Sequence, residues 1–239
     1  MEVTYLRPTP APPFTRTYAV GAHSRLTIWV DQEGPLLAST DVSAVFRSDR
    51  PVVVERAMYL TTGERLFEAG HAGAAIATPG RRWILAEGST QAPLDTFILI
   101  ANPGAAPADV DVTYLLPDGA TRQKTYKVPG LSRFNIWTNR ETLAEDSDTL
   151  LLPTTAFSAI VESANDVPIV VERAMWWGRP TWYEGHLSAG IAAAIVGSGW
   201  GLIAGTGGMA AAGLHVHLMT VLGLVMAAVF VFIRVIPYP

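Results

Sequence analysis

Two pairs of opposite charges sit side by side at matching places in this chain, Glu55 with Arg56 and Glu172 with Arg173. An adjacent acid and base could move a proton or form a charged recognition patch. Both pairs lie inside apolar runs, "PVVVERAM" from Pro51 and "PIVVERAM" from Pro168, which read as extended strand. Neighbours on a strand point to opposite faces, so the two side chains of a pair cannot readily serve one site. A structural ion pair at the edge of a sheet is the expected role for all four. Trp176, Trp177, Trp182 and Tyr183 cluster around "RPTW". Exposed, they would make a platform for a glycan, another surface polymer or a protein; otherwise they are hairpin packing.

The remaining candidates offer less. His71 and His186 each follow a glycine, with no second ligand at metal-site spacing, and a hydrogen-bonded structural role is expected. Glu145, Asp146 and Asp148 suggest a calcium loop, but the D-x-D-x-D-G order with a distal Glu is absent. The chain has no cysteine, which removes disulfides, thiolate metal sites and cysteine nucleophiles. No G-x-S-x-G, H-E-x-x-H or Walker-type loop occurs, and "GSGWGLIAGTGG" has glycines but no lysine. A net charge of −4 with 17 basic residues gives no footprint for nucleic acid. The expectation is a non-enzymatic chain without metal or cofactor.

The elements that carry these residues occur twice. "TYAVGAHSRLTIW" from Thr17 matches "TYKVPGLSRFNIW" from Thr125, an offset of 108 (125 − 17). "VTYL" recurs from Val3 to Val112 at 109, "VVERAM" at 117 and "GH" at 115, in the same order. The second copy carries about nine extra residues, placed in the polar loop "TNRETLAEDSDTL". Within each copy the blocks have strand composition. "DVDVTYLLPDG" sets Val110, Val112 and Tyr114 on one face and Asp109, Asp111 and Thr113 on the other, then turns at "PDG". "SRLTIWV" alternates likewise, aligning Leu26, Ile28 and Val30. Short strands with Pro/Gly punctuation and no long helical period predict a mainly β chain of two tandem antiparallel, Ig-like β-sandwich modules, over 1–93 and 94–200. The first module opens at a block that follows "TFILIANPG" in the other copy, so it reads as a repeat entered part-way, a piece of a longer array.

The succession "LAEG", "DTFILIANPG", "VTYLLPDG", "SRFNIW", "PIVVERAMWW" and "WYEGH" resembles an uncharacterised module found in tandem in large bacterial secreted or cell-surface proteins. The resemblance covers roughly residues 1–200 and is most specific at "VVERAM" and "TFILIANPG". It implies an extracellular or surface location, a structural or adhesive role, and neighbouring repeats as partners. It brings no catalytic residues.

The end of the chain departs from the repeat. From Gly185 to Ile233 there is no Asp, Glu, Lys or Arg, and residues 201–239 are hydrophobic. A helix over about 214–236 is long enough to cross a bilayer, with Leu187–Ala204 as a poorer first crossing. Arg234 would place the C-terminus in the cytoplasm and the repeats outside. The tail thus reads as a membrane anchor, or as an out-of-frame continuation of the next strand. "HVHLMTVLG" is faintly similar to a helix of haem-copper oxidase subunits, which gives the alternative of a membrane protein whose tail does the work. His215 and His217, two residues apart, would point about 200° apart on a helix and could not share a metal. No signal peptide is visible at the N-terminus.

Overall fold

The computed structural model describes residues 1–60, 69–178 and 184–192. The first repeat contributes β1 (Glu2–Leu6), β2 (Phe14–Thr17), β3 (Ser43–Arg47), β4 (Glu55–Leu60) and β5 (Ala69–Ala74). Then follow β6 (Arg82–Ser89), β7 (Leu94–Asn102), β8 (Ala108–Leu115), β9 (Thr121–Val128) and β10 (Ser132–Trp137). The last are β11 (Ala156–Ser163), β12 (Val170–Trp177), β13 (Glu184–Ala189) and β14 (Ile191–Ala192). Helix among the described residues is limited to two single turns, Val30–Gln32 and Thr138–Arg140. The chain is mainly β, with antiparallel pairing throughout the named strands.

The second repeat builds a complete sandwich. One sheet runs β10-β7-β12-β13 and the other β14-β6-β11-β8-β9. The alternation read in β8 holds: Val110, Val112 and Tyr114 are buried, and Asp109, Asp111 and Thr113 are only partly so. Val161 of β11 lies beside them in the same sheet, and across the core they meet Ile98 and Ile100 of β7, Ile136 of β10 and Val171 of β12. Full burial of each such side chain is worth about 1.5–3 kcal/mol. Trp83 closes one end, its indole N–H donating to the carbonyl of Ile169 at 3.0 Å.

The first repeat builds part of the same plan. Its sheet β2-β1-β3 has the order of β9-β8-β11, and the hairpin β4-β5 stands for β12-β13. A smaller core gathers Val3, Tyr5 and Leu37. Among the described residues nothing fills the places that β6 and β7 take in the second repeat: no described strand pairs with the outer edge of β3 or with the edge of β4 away from β5.

Three expectations are revised. The boundary set between residues 93 and 94 moves, because β6 pairs with β11 from Arg82↔Glu162 to Ser89↔Ala156, and Gly80 already bridges to Ile169. The second sandwich therefore takes in residues 80–192. Ser24–Trp29, although it shares the pattern of β10, forms no strand; β10 is held by β7, and no described strand takes the place of β7 beside Ser24–Trp29. Leu187 to Ala189 complete β13 and Ile191–Ala192 form β14, with Gly190 between them, so this stretch is not part of a membrane-crossing helix. No helix among the described residues is long and apolar enough to cross a membrane. Residues 193–239, with His215, His217 and the expected anchor, lie outside the described residues.

Candidate functional site

Each arginine of the repeated Glu-Arg pairs reaches past its neighbour to a more distant carboxylate. Arg173 points between the sheets, where Nη1 donates to the Glu87 carbonyl at 2.8 Å and to its Oε2 at 3.1 Å. Arg56 donates from Nη1 to Oε2 of Glu172 at 2.7 Å, joining the first repeat to the second. Glu55 is exposed. Strand alternation thus separates the members of each pair, and four residues flagged as ion-pair formers give one bridge between them, Arg56–Glu172.

The two histidines complete the same arrangement. Nη2 of Arg56 lies 3.5 Å from Nε2 of His71, and Nη2 of Arg173 lies 3.4 Å from Nδ1 of His186. Burial first, and then the adjacent guanidinium, push both histidine pKa values down. Neutral rings can accept from the arginines, so each is a structural partner in its repeat. The preceding glycines also have a packing reason. A Cβ on Gly185 would stand 2.2 Å from the ring of Trp176, and one on Gly70 would stand 2.9 Å from the ring of Tyr59. In both hairpins an aromatic ring lies across the opposing glycine.

That contact covers one face of Trp176. Trp177, the next residue, turns the other way, packs edge-on against His186 and donates its indole N–H to Glu184. Trp176 and Trp177 therefore do not share a surface, and Trp182 and Tyr183 lie outside the described residues. Strand register puts Trp176 on the same sheet face as Asp95 and Phe97 of β7 and Trp137 of β10. There the rings of Phe97 and Trp137 are 5.1 Å apart, and the Arg140 guanidinium sits 3.7 Å above the Trp137 ring. The Trp137 indole donates to Asp95 at 3.0 Å. Phe97, Trp137 and Arg140 were not singled out from the sequence. The available signal was Arg140 three residues after Trp137, where the first repeat has Gln32 after Trp29.

A further cluster went unread because its members are spread along the chain. Glu141 accepts from the Tyr126 hydroxyl and pairs with Lys124 Nζ, each at 2.8 Å. Glu33 repeats this with Tyr18 at 2.7 Å and Arg16 at 2.5 Å. The phenol hydrogen bond from Tyr18 holds Glu33 below the usual carboxylate range, opposing the upward push of burial, and Arg16 adds to the lowering. Burial raises both phenols, which stay protonated at neutral pH. The constant spacing of 108 between Tyr18 and Tyr126, and between Glu33 and Glu141, was the missed clue.

Asp146 uses its carboxylate locally, accepting from the backbone N–H of Asp148 at 2.9 Å and the hydroxyl of Thr149 at 2.5 Å. Among the described residues no group of three or more His, Asp or Glu side chains could hold a metal ion.

No family model matches this chain, and no curated protein matches it. It is similar in part to several solved structures, among them these two. One is the crystal structure of Thermotoga maritima 1070, at 17% identity over 47% of this chain and 94% of that one, with a TM-score of 0.39. The other is the Anabaena sensory rhodopsin transducer, at 22% identity over 41% of this chain and 91% of that one, with a TM-score of 0.34.

Proposed function

We propose that this chain is a non-enzymatic tandem β-sandwich module of the extracellular or cell-surface type, with a structural or adhesive role. The observation that carries the reading is the repeated use of the charged and titratable residues. Arg56 and Arg173 each hold a carboxylate and a histidine, and Glu33 and Glu141 each hold a tyrosine and a base. These contacts pin strands and turns together in both copies and leave the same groups engaged in both. A catalytic acid or base needs a partner set open to substrate, whereas these groups face one another.

The face with Phe97, Trp137, Arg140 and Trp176 is the binding surface of this reading. Half-buried aromatic rings with a guanidinium stacked on one of them suit the apolar faces and hydroxyls of a glycan or other surface polymer. The test is a glycan and matrix-polymer array probed with the full chain and with Trp137→Ala and Trp176→Ala. Binding that falls at least about tenfold in either variant supports the surface. Equal binding returns those rings to packing. Protease shaving of intact source cells tests location separately: release of the repeat supports the surface, and full protection refutes it.

A further inference from the structure

We infer that the first repeat is a strand acceptor, whose open edges take an extended two-strand segment of the β6–β7 type. The inference rests on the tandem-repeat part of the reading above and is independent of cellular location and glycan binding.

The two repeats allow a residue-by-residue comparison of the same sequence with and without those strands. In the second repeat β11 is flanked by β6, and β12 by β7. Their counterparts β3 and β4 have no described strand on the corresponding sides. Residues that β6 and β7 bury in one copy are open in the other. Ile169 is fully buried, while its counterpart Val52 is 41% exposed. Met175 is 4% exposed and Met58 is 40%. Ala159 is fully buried and Ala44 is exposed. Val53, the counterpart of strand residue Val170, is 96% exposed and precedes the strand altogether.

The backbone points the same way. β12 starts at Val170 because Val170 and Val171 pair with Ala101 and Ile100 of β7. β4 starts only at Glu55, so Val53 and Val54 lack that ladder. The unpaired edges of β3 and β4 would template an added strand, and the apolar side chains beside them would favour one with matching alternation. The occupant is defined by what fills these places next door: Trp83 and Leu85 from β6, Ile98 and Ile100 from β7. A charge match adds specificity. Arg173 binds Glu87 of β6, and Arg56, lacking that glutamate, takes Glu172 instead.

The experiment adds a labelled synthetic peptide of residues 82–102 to the full chain and follows fluorescence anisotropy and amide hydrogen exchange. Saturable binding is expected, with new protection at Ser43–Arg47 and Glu55–Leu60. A control peptide with Ile98→Asp and Ile100→Asp puts charge into the core and should bind at least about tenfold more weakly. A peptide with Glu87→Gln should also bind more weakly, because it cannot pair with Arg56. No saturable binding, equal binding of the Asp peptide, or protection changes confined to residues 80–192 would overturn the inference. So would self-association through β3 and β4 that the peptide does not compete, since a second copy would then be the occupant. The control substitutions lie in the peptide alone, so the folding of the chain is the same in every arm.

Discussion

Met58 and Met175 occupy the same place in the repeat, and truncating each to alanine should give very different costs. Met175 is 4% exposed and packs inside the completed sandwich, whereas Met58 is 40% exposed on a two-stranded hairpin. Removing Cγ, Sδ and Cε from a closed site loses their transfer energy and leaves a cavity, about 2–4 kcal/mol for Met175→Ala. At the open site solvent fills the space and part of the surface was already wet, so Met58→Ala should cost under about 1 kcal/mol. The predicted gap is therefore at least about 1 kcal/mol. Urea denaturation of the full chain would be followed by tryptophan fluorescence, with amide exchange to assign each transition to its repeat. Equal costs would refute the reasoning, because they would mean that the inner face of β4 is as closed as that of β12.

Other consequences can be checked in parallel. Folded-state pKa values of His71 and His186 lie below the ordinary 6.5, so the unfolded chain binds the extra protons first. Stability should thus be level above about pH 6.5 and fall as the pH drops below it; His71→Gln with His186→Gln should flatten that fall in pH-dependent denaturation. Glu172→Gln removes the Arg56 bridge, whose arginine is 39% exposed, and should cost at most about 1 kcal/mol with the effect shrinking in high salt. Gly185→Val forces a side chain into the Trp176 ring and should lower the melting temperature, whereas Gly119→Ala, at a φ of 85° in open space, should cost only its backbone strain. A Gly185→Val variant as stable as the parent would show that Trp176 can leave the strand at little cost.

Much of this was legible in the letters, and what was not has a physical cause. Alternation placed Val110, Val112 and Tyr114 in the core correctly, because a strand with partners on both sides is specified by its own side-chain pattern. The same logic fails at Ser24–Trp29, where "SRLTIW" has the pattern of "SRFNIW" but no described strand to lie against. β propensity reports fitness for a pleated, half-buried surface, and without that surface the segment stays irregular. The aromatic site was half legible. Trp176 and Trp177 stand out in sequence, yet adjacency on a strand sends them apart, while Phe97 and Trp137 come together only through the β7-β10 register. Glu87, the partner of Arg173, lies 86 residues away and leaves no local signal.

The domain boundary shows how a repeat can mislead even when it is read correctly. Sequence periodicity fixes the length of the unit but not its starting point, so any cut spaced by one period fits the letters equally well. Folding chooses the cut. The Trp83 indole donates to the Ile169 carbonyl, and β6 lies along β11, so the strand after the first repeat belongs to the core that follows it. Placing the boundary near residue 80 makes the second unit self-sufficient, with β6 and β7 entering its two sheets from the start. Among the described residues the same cut leaves the first unit with two unpaired strand edges and an arginine that borrows a carboxylate from its neighbour. If the boundary is physical, residues 78–192 expressed alone should keep the amide protection of β7, β8, β11 and β12, whereas residues 94–192 should lose it. Equal protection in both fragments would show that β6 is an addition to the second sandwich and not part of its foundation.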